Sequence, residues 1–157
     1  MSTWNVRPVR LDEFDAWTRL YRGYAAFYNC PTSDEHQQQI WSWIHDDHRV
    51  EALVAVPLDQ HGNETGELQG LAHLRAWARP LRGVVCGYLD DMYVDPQARG
   101  SGAVTAMFEA INRLAIKRQW AVVRWTTGDD NYRARAVYDK LATRTMWVTY
   151  DMTPAIR

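Results

Sequence analysis

Two adjacent carboxylates, Asp90 and Asp91, sit inside the apolar run Tyr88-Leu-Asp-Asp-Met-Tyr-Val94, and a glycine-bearing loop follows at once. The run reads as a buried strand and Asp95-Pro96 as a turn. Residues Arg99, Gly100, Ser101 and Gly102 read as a loop, with Ala103, Val104 and Thr105 opening a helix. That helix is marked by Val104, Met107, Phe108, Ile111 and Leu114, the spacing of one buried stripe. A strand that passes through two glycines into a helix start is a generic anion-binding device. Glycine lets the backbone approach closely, free N–H groups point outward, and the helix dipole favours negative charge. Two common nucleotide-binding forms do not fit. No Lys-Ser or Lys-Thr follows Gly102, and Thr105 stands where a dinucleotide loop would need its third glycine. Strand alternation sends Asp90 and Asp91 to opposite faces, so only one of them is expected to face a bound molecule.

His45-Asp-Asp-His48 invites a metal reading, since two histidines at i, i+3 could meet one ion. Two further ligands are unidentified, so the expectation is no metal, with solvated histidines near a helix C-terminus.

Composition narrows the function classes. A chain of 157 residues with 46% hydrophobic and 24% charged content is expected to fold as one domain with its own core. A net charge of −1 argues against a dedicated nucleic-acid partner, which would show a basic bias. No apolar run approaches the ~20 residues of a membrane span, so no membrane partner is expected. Met1-Ser-Thr-Trp-Asn5 lacks the basic and apolar regions of a signal peptide. The two cysteines, Cys30 and Cys86, lie far apart, and reduced thiols in a cytoplasmic protein are expected.

The elements that must position these residues follow from periodicity. Thr3–Arg10 reads as a first strand, with Pro8 marking an edge. Leu11, Phe14, Trp17, Tyr21 and Tyr24 recur at helical spacing. After the break at Cys30-Pro31, Thr32-Ser-Asp-Glu35 fits a capping box with Thr32 as N-cap, opening a helix that carries Gln37, Ile40, Trp41 and Ile44 on one face and ends near His48. Val50–Leu58 and Glu67–Ala78 read as hairpin strands, the second placing Leu71, His73, Arg75 and Trp77 on one face. Val84–Val94 is the strand bearing the carboxylates. Ala121–Thr126 is a further strand, Asn131–Ala142 a helix and Thr145–Met152 a last strand. The order is β-α-α-β-β-β-α-β-α-β. This predicts an α/β (α+β) domain: a mixed, mostly antiparallel sheet of about six or seven strands with helices on both faces.

With that order, the loop Gln97-x-x-Gly100-x-Gly102 and the segment Asn131-x-x-Ala134-x-x-x-Tyr138 resemble the GNAT N-acetyltransferase superfamily. Tyr88–Val94 and Tyr138-Asp-Lys-Leu-Ala-Thr143 are similar to its small polyamine and histone-type members. Ala103-Val104 stands where the family usually has Ile-Gly, and Asp90-Asp91 where Glu-Asp is common.

The resemblance implies acetyl-CoA as co-substrate, held where the 84–94 and 121–126 strands splay. Backbone groups of Met92 and Val94 would hold the pantetheine, and Asn131 its arm. Amides from Arg99, Gly100, Ser101, Gly102, Ala103, Val104 and Thr105 would hold the diphosphate. Tyr138 would protonate the departing thiolate. An attacking amine titrates near ~10 and must be neutral, so a nearby carboxylate would attract it and take its proton. The resemblance favours Asp90 for proton transfer and leaves Asp91 beside the acceptor. Tyr21, Tyr24, Phe27, Tyr28 and Trp41 would wall the acceptor site, suiting an alkyl chain or a cation over π faces.

The expected activity is N-acetylation of a small primary amine, a polyamine or a lysine-like amine. An acyl-CoA-binding module without catalysis, or an acetyltransferase of a protein amine, stand as alternatives. Relatives commonly pair through the C-terminal strand, so the resemblance also implies a homodimer, with Trp147 and Tyr150 at the partner.

Overall fold

The computed structural model describes residues 3–154. The elements are β1 (Trp4–Pro8), α1 (Phe14–Phe27), α2 (Asp34–His45), β2 (Glu51–Pro57), β3 (Gly70–Arg79), β4 (Val84–Val94), α3 (Ala103–Lys117), β5 (Val123–Arg124) and α4 (Tyr132–Leu141). They fall into two compact units, the first ending at Trp125 and the second starting at Thr126.

The first unit is built on one sheet of five strands in the order β1-β2-β3-β4-β5. The first three pairings are antiparallel and β4–β5 is parallel. β1 is an edge strand, as Pro8 requires. One sheet face carries Leu53, Ala55, Ala72, Leu74, Leu89 and Val94 against the α3 stripe. Met107 and Ile111 of that stripe are 0% and 2% exposed, and each contributes about 1.5–3 kcal/mol by leaving water. The opposite face carries Val54, Val56 and Leu71 against Trp17, Leu20, Ile40 and Ile44 of α1 and α2. Helices on both faces of a mostly antiparallel sheet are therefore present in this unit.

α1 approaches β4 closely because Gly23 has no side chain. A Cβ there would sit 2.6 Å from the Tyr93 hydroxyl. α2 opens at Ser33, whose hydroxyl accepts from the His36 N–H at 3.2 Å. The expected cap Thr32 is thus displaced by one residue. Its hydroxyl instead meets the His36 ring at 3.1 Å.

The strand count differs from expectation. The expected strand at 145–152 is not formed, and residues 143–154 are irregular. Trp147 and Tyr150 in it are 79% and 88% exposed. An alternating segment becomes a strand only where another backbone pairs with it, and this one has no strand partner among the described residues. β5 is likewise two residues long rather than the six expected, because its pairing with β4 stops early. No helix among the described residues is long and apolar enough to cross a membrane.

Candidate active site

β3 and β4 pair with one irregularity. His73 lies opposite Asp91 while Leu74 lies opposite Leu89, so Asp90 is the extra residue of a β-bulge. The bulge breaks the alternation that would have separated the two carboxylates. Asp91 Oδ2 lies 2.8 Å from His73 Nδ1, and both Asp90 oxygens accept from Arg75 Nε, at 3.2 and 2.9 Å. His73 and Arg75 are two residues apart and share a face of β3. Both carboxylates therefore lie on the α1 side of the sheet, and the expectation of opposite faces is corrected.

His73 is 2% exposed and tied on both ring nitrogens. The Trp17 indole N–H donates to His73 Nε2 at 2.9 Å. An indole nitrogen only donates, so Nε2 carries no proton and Nδ1–H donates to Asp91. A neutral imidazole in one tautomer is thus clamped between α1 and β4. Asp91 is also hydrogen-bonded by the Tyr24 side chain.

The two carboxyls are pushed apart in acidity. Burial raises Asp91, but its hydrogen bonds from His73 and Tyr24 outweigh that and leave it below the ordinary carboxylate value. For Asp90, burial outweighs the Arg75 guanidinium and the neighbouring charge of Asp91 adds to it, leaving it above. The Asp90 side chain remains 33% exposed. Two carboxyls driven in opposite directions are the usual sign of divided roles.

Aromatic rings from α1 border these carboxylates. Tyr21 stacks on Trp17 at 5.1 Å, and Tyr24 lies 6.3 Å from the Tyr93 ring. Burial first and the Asp91 charge second push the Tyr21 phenol up to about 12. The same causes raise Tyr24 further, so both phenols remain hydrogen-bond donors near neutrality. Tyr28 packs 5.1 Å from Tyr24 and Phe27 5.0 Å from Tyr28; these two are half-exposed and form an open rim. Trp41 stands apart from this set. It packs 5.2 Å from Trp17 and 4.3 Å from His45 in the α1–α2 seam. His48 meets the Ile44 carbonyl at 3.3 Å, so the two histidines have separate neighbours. Among the described residues, no group of three or more His, Cys, Asp or Glu side chains is placed to hold a metal.

The glycine loop is braced from below. Asp95 accepts from the Gln97 N–H at 3.0 Å, Ser101 Oγ donates to the Ala98 carbonyl at 2.5 Å, and Trp4 Nε1 donates to the Ser101 carbonyl at 3.2 Å. Gly100 and Gly102 hold φ of 82° and 92°, a conformation disfavoured for other residues. Gly102 caps α3 without a side-chain acceptor. Among the described residues, no hydrogen bond takes the amides of Gly102, Ala103, Val104 or Thr105. Four orphan donors at the positive end of a four-turn helix form an anion site, and a Cβ at Gly100 or Gly102 would meet open space.

A second opening lies beside it. β4 pairs with β5 only at Gly87↔Val123 and Tyr88↔Arg124. From Leu89 to Val94 that edge of β4 has no strand partner among the described residues. Met92 and Val94 lie on this free edge, with side chains packed toward the α3 core.

The pattern of the acetyltransferase (GNAT) family matches residues 14–142. The chain belongs to that family. It is 28% identical over 149 residues, 92% of this chain and 88% of the other, to the D-amino-acid N-acetyltransferase HPA3 of Saccharomyces cerevisiae. In fold it is similar to the ribosomal-protein-alanine N-acetyltransferase of Brucella melitensis biovar Abortus 2308, with TM-score 0.77, 20% identity, and 97% and 99% of the chains covered. A possible acetyltransferase of Clostridium difficile 630 gives TM-score 0.80 at 15% identity, covering 98% and 99%. The protein is thus a GNAT-type acyltransferase, and the family uses acetyl-CoA as co-substrate. The finer likeness to polyamine and histone-type members finds no support in these relatives.

For a GNAT enzyme, the free amides of α3 and the unpaired edge of β4 fit the diphosphate and the amide-bearing arm of coenzyme A. In the second unit, Asn131 caps α4: Oδ1 accepts from the Ala134 N–H at 3.3 Å and Nδ2 donates to Thr127 Oγ1 at 3.2 Å. Tyr138 shares a half-buried face of α4 with Ala134 and Val137. Sequence reasoning missed His73 and Arg75 as partners of the carboxylates, and Trp17 as the partner of His73. The available signal was a histidine and an arginine alternating on one face of β3, opposite the two aspartates.

Proposed function

We propose that this enzyme acetylates a small primary amine directly, with amine and acetyl-CoA bound together. The observation that carries the proposal is the bulged Asp90–Asp91 pair, held on one face with opposed acidities. Asp91, ionised and fixed by His73, anchors the acceptor as its ammonium. Asp90, the weaker acid of the two, takes the proton, directly or through a water. The freed nitrogen then bonds to the acetyl carbon, the carbon–sulfur bond breaks and Tyr138 gives its proton to the leaving thiolate, while the second proton that the nitrogen loses in becoming an amide passes through water and restores the Tyr138 phenol. The open amides of Gly102, Ala103, Val104 and Thr105 hold the diphosphate, whereas those expected from Arg99 and Ser101 are turned to the Pro96 and Ala98 carbonyls and shape the loop instead; Met92, Val94 and Asn131 hold the pantetheine arm. Tyr21, Tyr24, Phe27 and Tyr28 wall the acceptor, and Trp41 supports the wall from behind.

For the acceptor, the paired carboxylates and aromatic rings, taken without the neighbouring Arg75, support a polyamine or lysine-like amine. A second reading, an amino acid, has its support in the substrate class named for the yeast relative. The test is thiol release from acetyl-CoA against polyamines, amino acids, aminoglycosides and N-terminal peptides. Release with one class of small amine is the expected result. Acetyl-CoA binding with no release from any of them would instead favour a binding module.

A further inference from the structure

We infer that Arg75 forms a carboxylate subsite beside the two aspartates, so that the acceptor is an amine with a carboxylate close to its nitrogen: an α-amino acid. The inference rests on the amine-acetylation reading and narrows it to one chemical class.

Arg75 is held without being used up. Asp90 engages only its Nε, and its guanidinium carbon lies 4.8 Å from the centre of the Tyr88 ring. Among the described residues, its two terminal nitrogens donate to no protein acceptor, and 46% of the side chain is exposed. Arg7 shows the contrast: both terminal nitrogens are consumed by Glu13 and Glu64. An arginine pinned through Nε and a ring face, with its outer edge open, is prearranged for a planar carboxylate.

The spacing fits the same ligand. Arg75 lies two residues from His73, the partner of Asp91, an interval of about 7 Å along a strand. In an α-amino acid about 3 Å separates the nitrogen from the nearer carboxylate oxygen. A charge-assisted hydrogen bond adds about 2.8 Å at each end, so the ligand spans the interval with some bending. The charges fit as well. Two carboxylates beside one guanidinium complement a zwitterion, whereas the second ammonium of a polyamine would meet the Arg75 charge.

Wild type and Arg75→Gln are compared by thiol release with D- and L-alanine and phenylalanine, their amides, and ethylamine and phenethylamine. Losing Arg75 also alters Asp90, but that change is common to every amine and cancels when ratios between acceptors are taken. The expected result is a fall in kcat/KM for the amino acid about 10- to 100-fold greater than for its decarboxylated amine, mostly through KM. An equal fall for both, or a wild type that prefers the amides, overturns the inference and leaves amine acetylation standing. No release from any amine overturns the amine-acetylation reading, and the inference falls with it.

Discussion

Asp90→Asn is expected to lower kcat/KM by about 10²- to 10⁴-fold, the usual contribution of a positioned proton acceptor. The pH profile is the sharper readout. With Asp90 in place, the reactive form is an ionised carboxyl facing a bound ammonium. The rate then falls in acid as Asp90 protonates, and because burial raises that carboxyl, the fall begins above the ordinary carboxylate range. Between that point and the acceptor's own titration the profile is flat. Without Asp90 only the neutral amine in solution reacts, so the rate climbs about tenfold per pH unit. A variant that keeps the flat profile would remove Asp90 as the acceptor of the proton. Asp91→Asn acts differently, because it takes a charged partner from buried His73. Its effect falls on KM and on stability, at about 1–3 kcal/mol.

Gly102→Glu is expected to raise KM for acetyl-CoA by about a hundredfold, close to 2.7 kcal/mol of binding. Two causes act together. The residue at φ 92° must adopt a backbone geometry that costs a non-glycine about 1–2 kcal/mol. It also brings a carboxylate to the helix end where the diphosphate belongs. No atom lies within 4 Å of the added Cβ, so steric collision is not the cause and the fold survives. Gly102→Asn separates the two: asparagine tolerates positive φ and is neutral, so it should recover most of the loss. Steady-state titration of acetyl-CoA reads both variants. An unchanged KM in Gly102→Glu would place the diphosphate elsewhere.

Much of the frame was legible because each signal was local. Pro8 announces an edge strand, the Val104–Leu114 stripe announces α3, and Gly100 and Gly102 announce the loop that leads into it. The carboxylate pair was legible in type but not in placement. A bulge depends on how two strands register, and nothing in Leu89-Asp-Asp-Met92 alone declares which residue is the extra one. The network of Trp17, His73 and Asp91 was hidden for a related reason, since its members lie 56 and 18 positions apart. The misread strand at 145–152 shows the reverse failure. Alternation there is genuine, yet pairing needs a neighbouring backbone that periodicity cannot supply.

The central claim is that the open amides at the start of α3 bind the diphosphate of coenzyme A. Isothermal titration of the folded wild-type protein with acetyl-CoA tests it most directly, using dephosphorylated pantetheine as the comparison ligand. The account expects saturable one-site binding of acetyl-CoA, with pantetheine weaker by about a hundredfold or more, because it lacks the diphosphate. Equal affinity for the two, or no heat with acetyl-CoA, would contradict it.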